Sequence, residues 1–327
     1  MQQQGYKLSQ QVPDDIFSGT ILAFIKKMKR SIGFTLAFCL LLPTSILAKD
    51  YSLLLVSNAD KTYVNDISQN LINNLADSNI RIRTANNHNE SITDQYDLIV
   101  TIGSQLAHEA LQDTSSETPV FSLLIPEQIA THINPGNSRT WAAQVIDQPF
   151  KRQLQLIKVL IGSNKKTGVI LGPASSVHKR DIERTSKETG IAVNYEIIET
   201  SDMIIPALKK ALEENDIILS IPDPDVYNKN TIRGILLLTY RNKIPVIGYS
   251  KSYIKAGATA GIYSTPDQIA NDATKHIKDY FDNGKKFKQK IYYPDSYSLE
   301  INKRVASTMQ LKNYDKDAII KQIKSQQ

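Results

Sequence analysis

Cysteine is almost absent from this chain of 327 residues. The single cysteine, Cys39, lies in an apolar run close to the N-terminus. A mature chain that had lost this run would contain no cysteine, which excludes disulfide bonds, thiol catalysis and cysteine-ligated metals. With 41% apolar and 22% charged residues, the chain instead has enough apolar material for a sizeable hydrophobic core.

Catalytic and metal-binding motifs are also lacking. The segment HEALQ (His108–Gln112) misses the zinc-binding H-E-x-x-H pattern, because Gln112 stands where the second histidine is required. The five histidines are scattered without ligand spacing, and no G-x-S-x-G, Walker or G-x-G-x-x-G motif occurs. Convergent catalytic triads need no sequence motif, so catalysis is disfavoured rather than excluded. We predict a protein that is not an enzyme and has no catalytic residues, metal site or cofactor.

The charge balance gives little support to a nucleic-acid partner. The whole chain has a formal net charge of +6, but residues 1–48 contain five basic and two acidic residues. The remainder has 34 basic and 31 acidic residues, a net charge of +3, and the two signs are interspersed rather than clustered. We therefore expect no nucleic-acid-binding surface.

Residues 1–48 have the composition of a leader. The cationic segment KKMKR (Lys26–Arg30) precedes the apolar run SIGFTLAFCLLL (Ser31–Leu42), and PTSILA ends at small Ala48. Residues 1–27 are interpreted as an upstream extension, with Met28 as the alternative start to Met1. This order is typical of a secretory signal peptide with cleavage after Ala48. The run is shorter than the roughly 20 residues that a membrane-spanning helix needs. The sequence therefore predicts a secreted protein.

From Tyr51 onward, short apolar runs alternate with segments of helical periodicity, a pattern typical of parallel α/β sheets. In one half of the chain the predicted strands cover residues 51–58, 80–85, 97–104 and 119–127. In the other half they cover residues 167–176, 191–198, 216–223 and 244–251. Because the order recurs, with 68 and 77 residues from first to fourth strand, we predict two similar Rossmann-like lobes joined by crossover strands.

The segments that flank the second half mark the predicted lobe boundaries. We assign residues 50–146 and about 262–290 to an N-terminal lobe. Residues 147–261 and about 291–311 form the C-terminal lobe, and residues 312–327 form a polar C-terminal tail. The segment Val226–Arg241 is predicted to be helical.

Polar side chains follow the predicted strands at their carboxyl ends, where parallel sheets bind ligands next to helix N-termini. If the lobes face each other, these strand ends line one cleft. The predicted ligand-binding residues are Ser57, Asn58, Ser104, Gln105, Glu127, Ser175, Ser176, Asp223, Asp225, Tyr249 and Ser250.

The loop IPDPD (Ile221–Asp225) carries two carboxylates between prolines. One interpretation is structural, with Asp223 as a helix N-cap and Pro224 at the first helical position. The other is that the stiff loop aims a carboxylate at a cationic group of a ligand, commonly an amine. The serines after the strands are equally ordinary N-caps. Tyrosines at positions 227, 249 and 253 are candidates for an aromatic wall.

Several segments are similar to a known family. The chain resembles the ABC transporter substrate-binding proteins, relatives of the tryptophan- and tyrosine-binding proteins of the type I periplasmic binding fold, over about Tyr51 to Leu311. The resemblance rests on VIDQPFKRQLQLIKVL, GVILGPASS, IPDPDVYNKNTIRGILLLTYRNKIPVIGYSKSYIKAGATAGIYSTPDQIANDATKHI and LEINKRVASTMQL.

This resemblance implies a periplasmic protein that closes around a small-molecule ligand and delivers it to an ABC permease, with crossovers near Val145–Pro149, Thr259–Tyr263 and Pro294–Leu299. An amino acid or a similar amine or carboxylate compound is the expected ligand, and we expect a monomer. The segments LLIPEQ (Leu123–Gln128) and GSQ depart from the family pattern, so the first-lobe half of the site differs. The alternative is an envelope sensory or accessory ligand-binding protein that is not coupled to transport.

Overall fold

The computed structural model describes residues 50–58, 60–86, 96–112, 117–133, 139–311 and 315–326. The predicted signal peptide and Cys39 lie outside these residues. The helices are α1 (Thr62–Leu75), α2 (Ser104–Gln112), α3 (Glu127–His132), α4 (Phe150–Ile161), α5 (Lys179–Thr189), α6 (Ile204–Glu214), α7 (Ile232–Arg241), α8 (Lys251–Ala256), α9 (Pro266–Asp282), α10 (Lys303–Thr308) and α11 (Lys316–Lys324). The strands are β1 (Tyr51–Val56), β2 (Ile80–Ala85), β3 (Leu98–Ile102), β4 (Val120–Ile125), β5 (Trp141–Val145), β6 (Lys166–Leu171), β7 (Ala192–Ile197), β8 (Ile217–Leu219), β9 (Val246–Gly248), β10 (Ala260–Tyr263), β11 (Ile291–Tyr292) and β12 (Ser298–Ile301).

The strands form two six-stranded sheets of matching order. The first sheet has the order β11-β5-β4-β3-β1-β2, and the second has the order β12-β10-β9-β8-β6-β7. The paired strands run parallel in both sheets, except that β12 is antiparallel to β10. Two parallel-dominated sheets with interleaved helices confirm the predicted α/β fold class.

Each sheet is covered by helices on both faces, which explains why its central strands are continuous apolar runs. In β1, Leu53 and Leu55 pack with α1 and α9, whereas Leu54 and Val56 pack on the opposite face with α2 and α3. In the second sheet, one face packs against α4, α5, α10 and α11, and the other against α6, α7 and α8. We call each sheet with its packed helices a lobe, the first and the second.

The chain crosses between the two sheets three times within the described residues. Residues 146–149 join β5 to α4, residues 264–265 join β10 to α9, and residues 293–297 join β11 to β12. Because Ile291 and Tyr292 pair with β5 of the first sheet, the last crossing begins after them, slightly later than the predicted boundary at about 290. These three segments are called the crossings below.

Two local elements differ from the sequence-based expectation. The segment predicted as a helix from Val226 becomes helical only at Ile232, because Thr231 Oγ1 donates to Val226 O (2.7 Å) and Asn228 Oδ1 accepts from nearby backbone amides. In the C-terminal tail, Ile319 on α11 is fully buried against the second lobe, although the segment is polar in composition. Among the described helices, none is long and apolar enough to cross a membrane.

The adjacent strands β9 and β10 approach closely at two glycines. Gly261 pairs with Gly248, and a Cβ atom added to Gly261 would lie 2.1 Å from the carbonyl oxygen of Gly248. Backbone atoms inside a sheet cannot move aside as the end of a flexible side chain can. Gly261 is therefore required by the packing of the second sheet.

We expect Gly261→Ala to lower the free energy of unfolding by about 2 kcal/mol or more, because the added methyl group overpacks the sheet. Gly234→Ala is the matched control, since apart from the adjoining backbone of helix α7 no atom lies within 4 Å of its added Cβ. The control should leave stability unchanged or raise it by up to about 1 kcal/mol. Urea denaturation followed by circular dichroism measures both. Equal effects of the two substitutions would contradict this account.

Candidate functional site

A cavity of about 690 Å³ lies between the two lobes, next to the three crossings. Both lobes and all three crossings contribute to its walls. The residues that line it are Tyr63, Asp66, Leu124 and Ile269 from the first lobe, Pro222, Tyr249, Ser250, Lys251, Ser252 and Lys255 from the second, and Ile146, Asp147, Gln148, Gln153, Tyr263, Ser264, Thr265, Pro266 and Pro294 at or beside the crossings. Its volume suits a small organic molecule.

The cavity carries charges of both signs on opposite walls. Asp66 is an exposed carboxylate on α1, and Lys251 and Lys255 are exposed ammonium groups on α8. Asp147 is buried in the first crossing, where its Oδ2 accepts from the backbone N of Glu127 (2.7 Å). Burial raises the pKa of Asp147 to about 7, against the effect of that hydrogen bond. Asp66 can therefore pair with an ammonium group of a ligand, and Lys251 and Lys255 can pair with a carboxylate.

Tyrosines supply most of the aromatic surface. Tyr249 lines the cavity and packs against Tyr227 and Tyr253, with ring centroids 6.1 and 5.4 Å away. Burial raises the pKa of Tyr249, so its hydroxyl is a neutral hydrogen-bonding group. Tyr63 of the first lobe donates a hydrogen bond from its hydroxyl to the backbone oxygen of Ser264 in the second crossing (2.8 Å). An apolar or aromatic part of a ligand would find partners on both lobes.

A helix start fixes one edge of the cavity. Helix α9 begins with a capping box, in which the Thr265 side chain accepts from Gln268 N and the Gln268 side chain accepts from Thr265 N, and Pro266 occupies the first helical position. The sequence TPDQ thus sets where the second crossing ends. Thr265 and Pro266 are held at the cavity wall by this local chemistry.

The proline-framed loop that follows β8 is organised by Asp223. Its Oδ2 accepts from Ser175 N (2.8 Å) and Ser175 Oγ (2.7 Å), and its Oδ1 accepts from Asp225 N (2.9 Å) and Val226 N (3.3 Å). A Cβ atom on Gly172 would lie 2.7 Å from Asp223 Oδ2, so glycine makes room for this carboxylate. Asp223 is 2% exposed. These hydrogen bonds stabilise the loop. Asp223 caps the turn that contains Asp225 and Val226, and it does not cap helix α7.

Glu127 belongs to a second polar group at the junction of the lobes. It begins α3, and its carboxylate accepts a hydrogen bond from the hydroxyl of Tyr293 and faces Nδ1 of His178 at 3.7 Å. Burial lowers the pKa of His178, although nearby carboxylates, Glu127 first, act in the opposite direction. Glu127, His178 and Asp181 each offer one donor atom, and the three atoms lie within 4.8 Å of one another.

Among the predicted site residues, Tyr249 and Ser250 lie in the lining of the described cavity. Ser250 also caps α8 by accepting from Tyr253 N (3.2 Å). The other predicted residues lie elsewhere on the strand ends. They are Ser57, which accepts from Ser68 Oγ; Asn58, which accepts from Asp60 N; Ser104 at the start of α2; Gln105, which donates to Glu109; Glu127 in the polar group at the lobe junction; Ser176, which donates to Pro173 O; the bonded pair Ser175 and Asp223; and exposed Asp225.

Sequence reasoning missed the lining residues of α1 and of the crossings. Tyr63 and Asp66 stand one helical turn apart in the first turns of the helix that follows β1, which puts them on one face. That spacing was a usable signal. Gln148 and Ser264 carried no such signal, because their role depends on the crossings meeting in space.

Comparisons with solved structures identify the fold. An L-Trp complex of an ABC domain from Streptococcus pneumonia has 15% identity and a TM-score of 0.56, covering 84% of this chain and 98% of that one. A ligand-free, open substrate-binding protein with adhesive properties from Clostridium difficile has 16% identity and a TM-score of 0.61, covering 81% and 96%. A conserved domain protein from Vibrio cholerae has 18% identity and a TM-score of 0.54, covering 84% and 98%.

At this level of identity the likeness establishes the fold alone, which is that of the type I periplasmic binding proteins. A search of curated proteins found no match. The family model described as ABC transporter substrate binding protein matches residues 58–322, which spans both lobes and the cavity between them. The resemblance predicted from the sequence is thus confirmed, and substrate binding is not an enzyme class. The chain belongs to the ABC transporter substrate-binding protein family.

Proposed function

We propose that this protein is an extracytoplasmic receptor for a small molecule that carries an amine, a carboxylate and an apolar portion, as an amino acid does. The observation that carries the proposal is the cavity between the lobes, whose walls combine Asp66 with Lys251 and Lys255 and with several tyrosines. Opposite charges at separate walls match a zwitterion, and the aromatic surface matches an apolar side chain. The L-Trp bound to a structural neighbour is of this class.

Ligand binding is proposed to favour the closed arrangement of the lobes. Asp66 and Tyr63 come from the first lobe, whereas Tyr249 and the two lysines come from the second. A ligand that contacts both sets gains more contacts when the lobes approach, and this difference in affinity shifts the population towards closure. The crossings act as the hinge.

Delivery to an ABC permease in the inner membrane completes the proposal. The family supplies this expectation, because its members are the substrate-binding components of such transporters. The predicted signal peptide would export the chain to the periplasm, where it would act as a monomer. A permease could distinguish loaded from empty receptor by the relative position of the two lobes.

A thermal-shift screen against amino acids, amines, organic acids and sugars tests the proposed ligand class. A ligand present at about 1,000 times its dissociation constant adds about 4 kcal/mol of stability, which raises the melting temperature measurably. We expect zwitterionic amino acids or close analogues to give the largest rise. Sugars as the only stabilising compounds would refute the proposed ligand class.

For the ligand found, Asp66→Asn should weaken binding by about tenfold or more, because a charge-assisted hydrogen bond to the ammonium group is lost. Asp77→Asn is the matched control, since Asp77 is an exposed carboxylate just after the same helix and outside the cavity lining. Isothermal titration calorimetry measures both affinities. If the two variants weaken binding equally, the effect belongs to net charge and Asp66 is not a ligand contact.

The two interpretations of Asp223, as a structural cap and as a ligand group, predict different effects of its removal. Asp223→Ala should lower the free energy of unfolding of the unliganded protein by on the order of 3 kcal/mol, because buried donors of Ser175 and the loop lose their acceptor. Asp225→Ala, an exposed change in the same loop, should stay within about 0.5 kcal/mol. Chemical denaturation measures both. A variant of normal stability that fails to bind ligand would instead make Asp223 a ligand group.

A further inference from the structure

A polar cluster outside the cavity brings together side chains from both lobes. Glu127 begins α3 directly after β4 of the first sheet. His178 ends a short helical turn that leads into α5 of the second lobe, and Asp181 lies in the first turn of α5. Sequence spacing gives no hint of this group, because 51 positions separate the glutamate from the histidine.

The histidine of this cluster is buried without a hydrogen bond on its ring. His178 is 3% exposed, and within the described part of the chain its Nε2 has no hydrogen-bond partner. Its Nδ1 points at Glu127 Oε2 from 3.7 Å, which is too long for a hydrogen bond. Phe150 holds the ring edge-to-face, with the centroids 5.4 Å apart. Nδ1 is therefore the nitrogen positioned to bind an ion together with Glu127, whereas Nε2 is directed away from that carboxylate.

The two carboxylates are arranged so that each keeps one oxygen for a further partner. The hydroxyl of Tyr293 donates to Glu127 Oε1, which leaves Oε2 towards the imidazole. Arg184 Nη2 donates to Asp181 Oδ1 (2.8 Å). The side chain of Asp181 is 47% exposed, so the cluster can be reached from solvent. An ion could enter from this side without unfolding either lobe.

We propose that Glu127, His178 and Asp181 form a binding site for a divalent transition-metal ion, of which Zn²⁺ is the best match. One imidazole and two carboxylates are suitable zinc ligands, and their two negative charges balance the ion. The three donor atoms lie within 4.8 Å of one another. Tetrahedral zinc with bonds of about 2.0–2.2 Å holds its donors about 3.4 Å apart, so these side chains would have to move together by up to about 1.4 Å on binding. Three protein ligands leave a fourth position open. The hydroxyl of Tyr293 donates a hydrogen bond that orients Glu127. Metal ligands are commonly oriented by such hydrogen bonds from the surrounding protein.

Because one ligand comes from the first lobe and two from the second, a bound ion would tie the lobes together. Lobe opening that moves α3 away from α5 would break this coordination. The ion therefore favours the arrangement in which the three donors are close, independently of any organic ligand in the cavity. This site and the proposed amino-acid site can succeed or fail separately.

Calorimetric titration of the chelator-treated, tag-free protein with zinc chloride tests the site. We expect one Zn²⁺ per chain. His178→Gln and Asp181→Asn each remove a direct ligand, so each should weaken the affinity for Zn²⁺ by at least about tenfold. Even residues that only hydrogen-bond to a metal ligand change metal affinity by about this much when they are mutated. The half-exposed position of Asp181 makes its variant safe for folding. His132→Gln controls for zinc bound by surface histidines, because His132 is exposed and lies outside the cluster.

A structural readout accompanies the titration. Small-angle scattering of the protein without organic ligand should show a smaller radius of gyration on addition of Zn²⁺, and Asp181→Asn should abolish the change. Absence of stoichiometric zinc binding would overturn the proposal. The proposal would also fail if His178→Gln and Asp181→Asn both fold normally by circular dichroism and bind Zn²⁺ as tightly as the unchanged protein. It would fail likewise if His132→Gln weakened zinc binding as much as they do.

Discussion

The relation between the two lobes depends on one chain of hydrogen bonds that runs through all three crossings. Gln148 Nε2 donates to Ser264 Oγ (2.9 Å), and Ser264 Oγ donates to the backbone oxygen of Ser296 (2.8 Å). Each of these residues belongs to a different crossing. Gln148 and Ser264 are buried, so losing a partner would leave a polar group unpaired at a cost of about 1–3 kcal/mol. The three segments are thereby held together as one unit.

A charged side chain from each lobe anchors the three crossings. From the second lobe, Arg152 Nη1 donates to Gln148 Oε1 (2.6 Å) and to Pro294 O (2.9 Å). From the first lobe, the Asp272 carboxylate accepts from Ser296 N (2.9 Å) and Ser296 Oγ (2.8 Å). Charge-assisted hydrogen bonds are stronger than neutral ones, so the crossings are fixed to both lobes. Since the cavity adjoins the crossings, this hydrogen-bond network also positions the part of its wall that Gln148, Ser264 and Pro294 form.

The sequence predicted the layers of the fold better than the side chains of the cavity. Continuous apolar runs such as Leu53–Val56 are a local consequence of burial on both faces, so periodicity predicted strands and helices. The partner of Asp223 is Ser175, which is 48 residues away, and no local pattern encodes that pairing. Likewise, Gln148 and Ser264 line the cavity together only because the crossings meet in space. Local sequence patterns predict the strands and helices, whereas the positions of these side chains depend on tertiary contacts.

The two halves of the chain exchange helices. Helix α4 follows the last central strand of the first sheet, yet Leu154 and Ile157 pack in the second lobe, whereas α9 follows β10 of the second sheet and packs Ile269 and Ile277 into the first. Neither half of the polypeptide therefore contains a full set of core elements. During translation the first hydrophobic core stays incomplete until Tyr292 of β11 has been synthesised, by which point most of the second lobe has also been made.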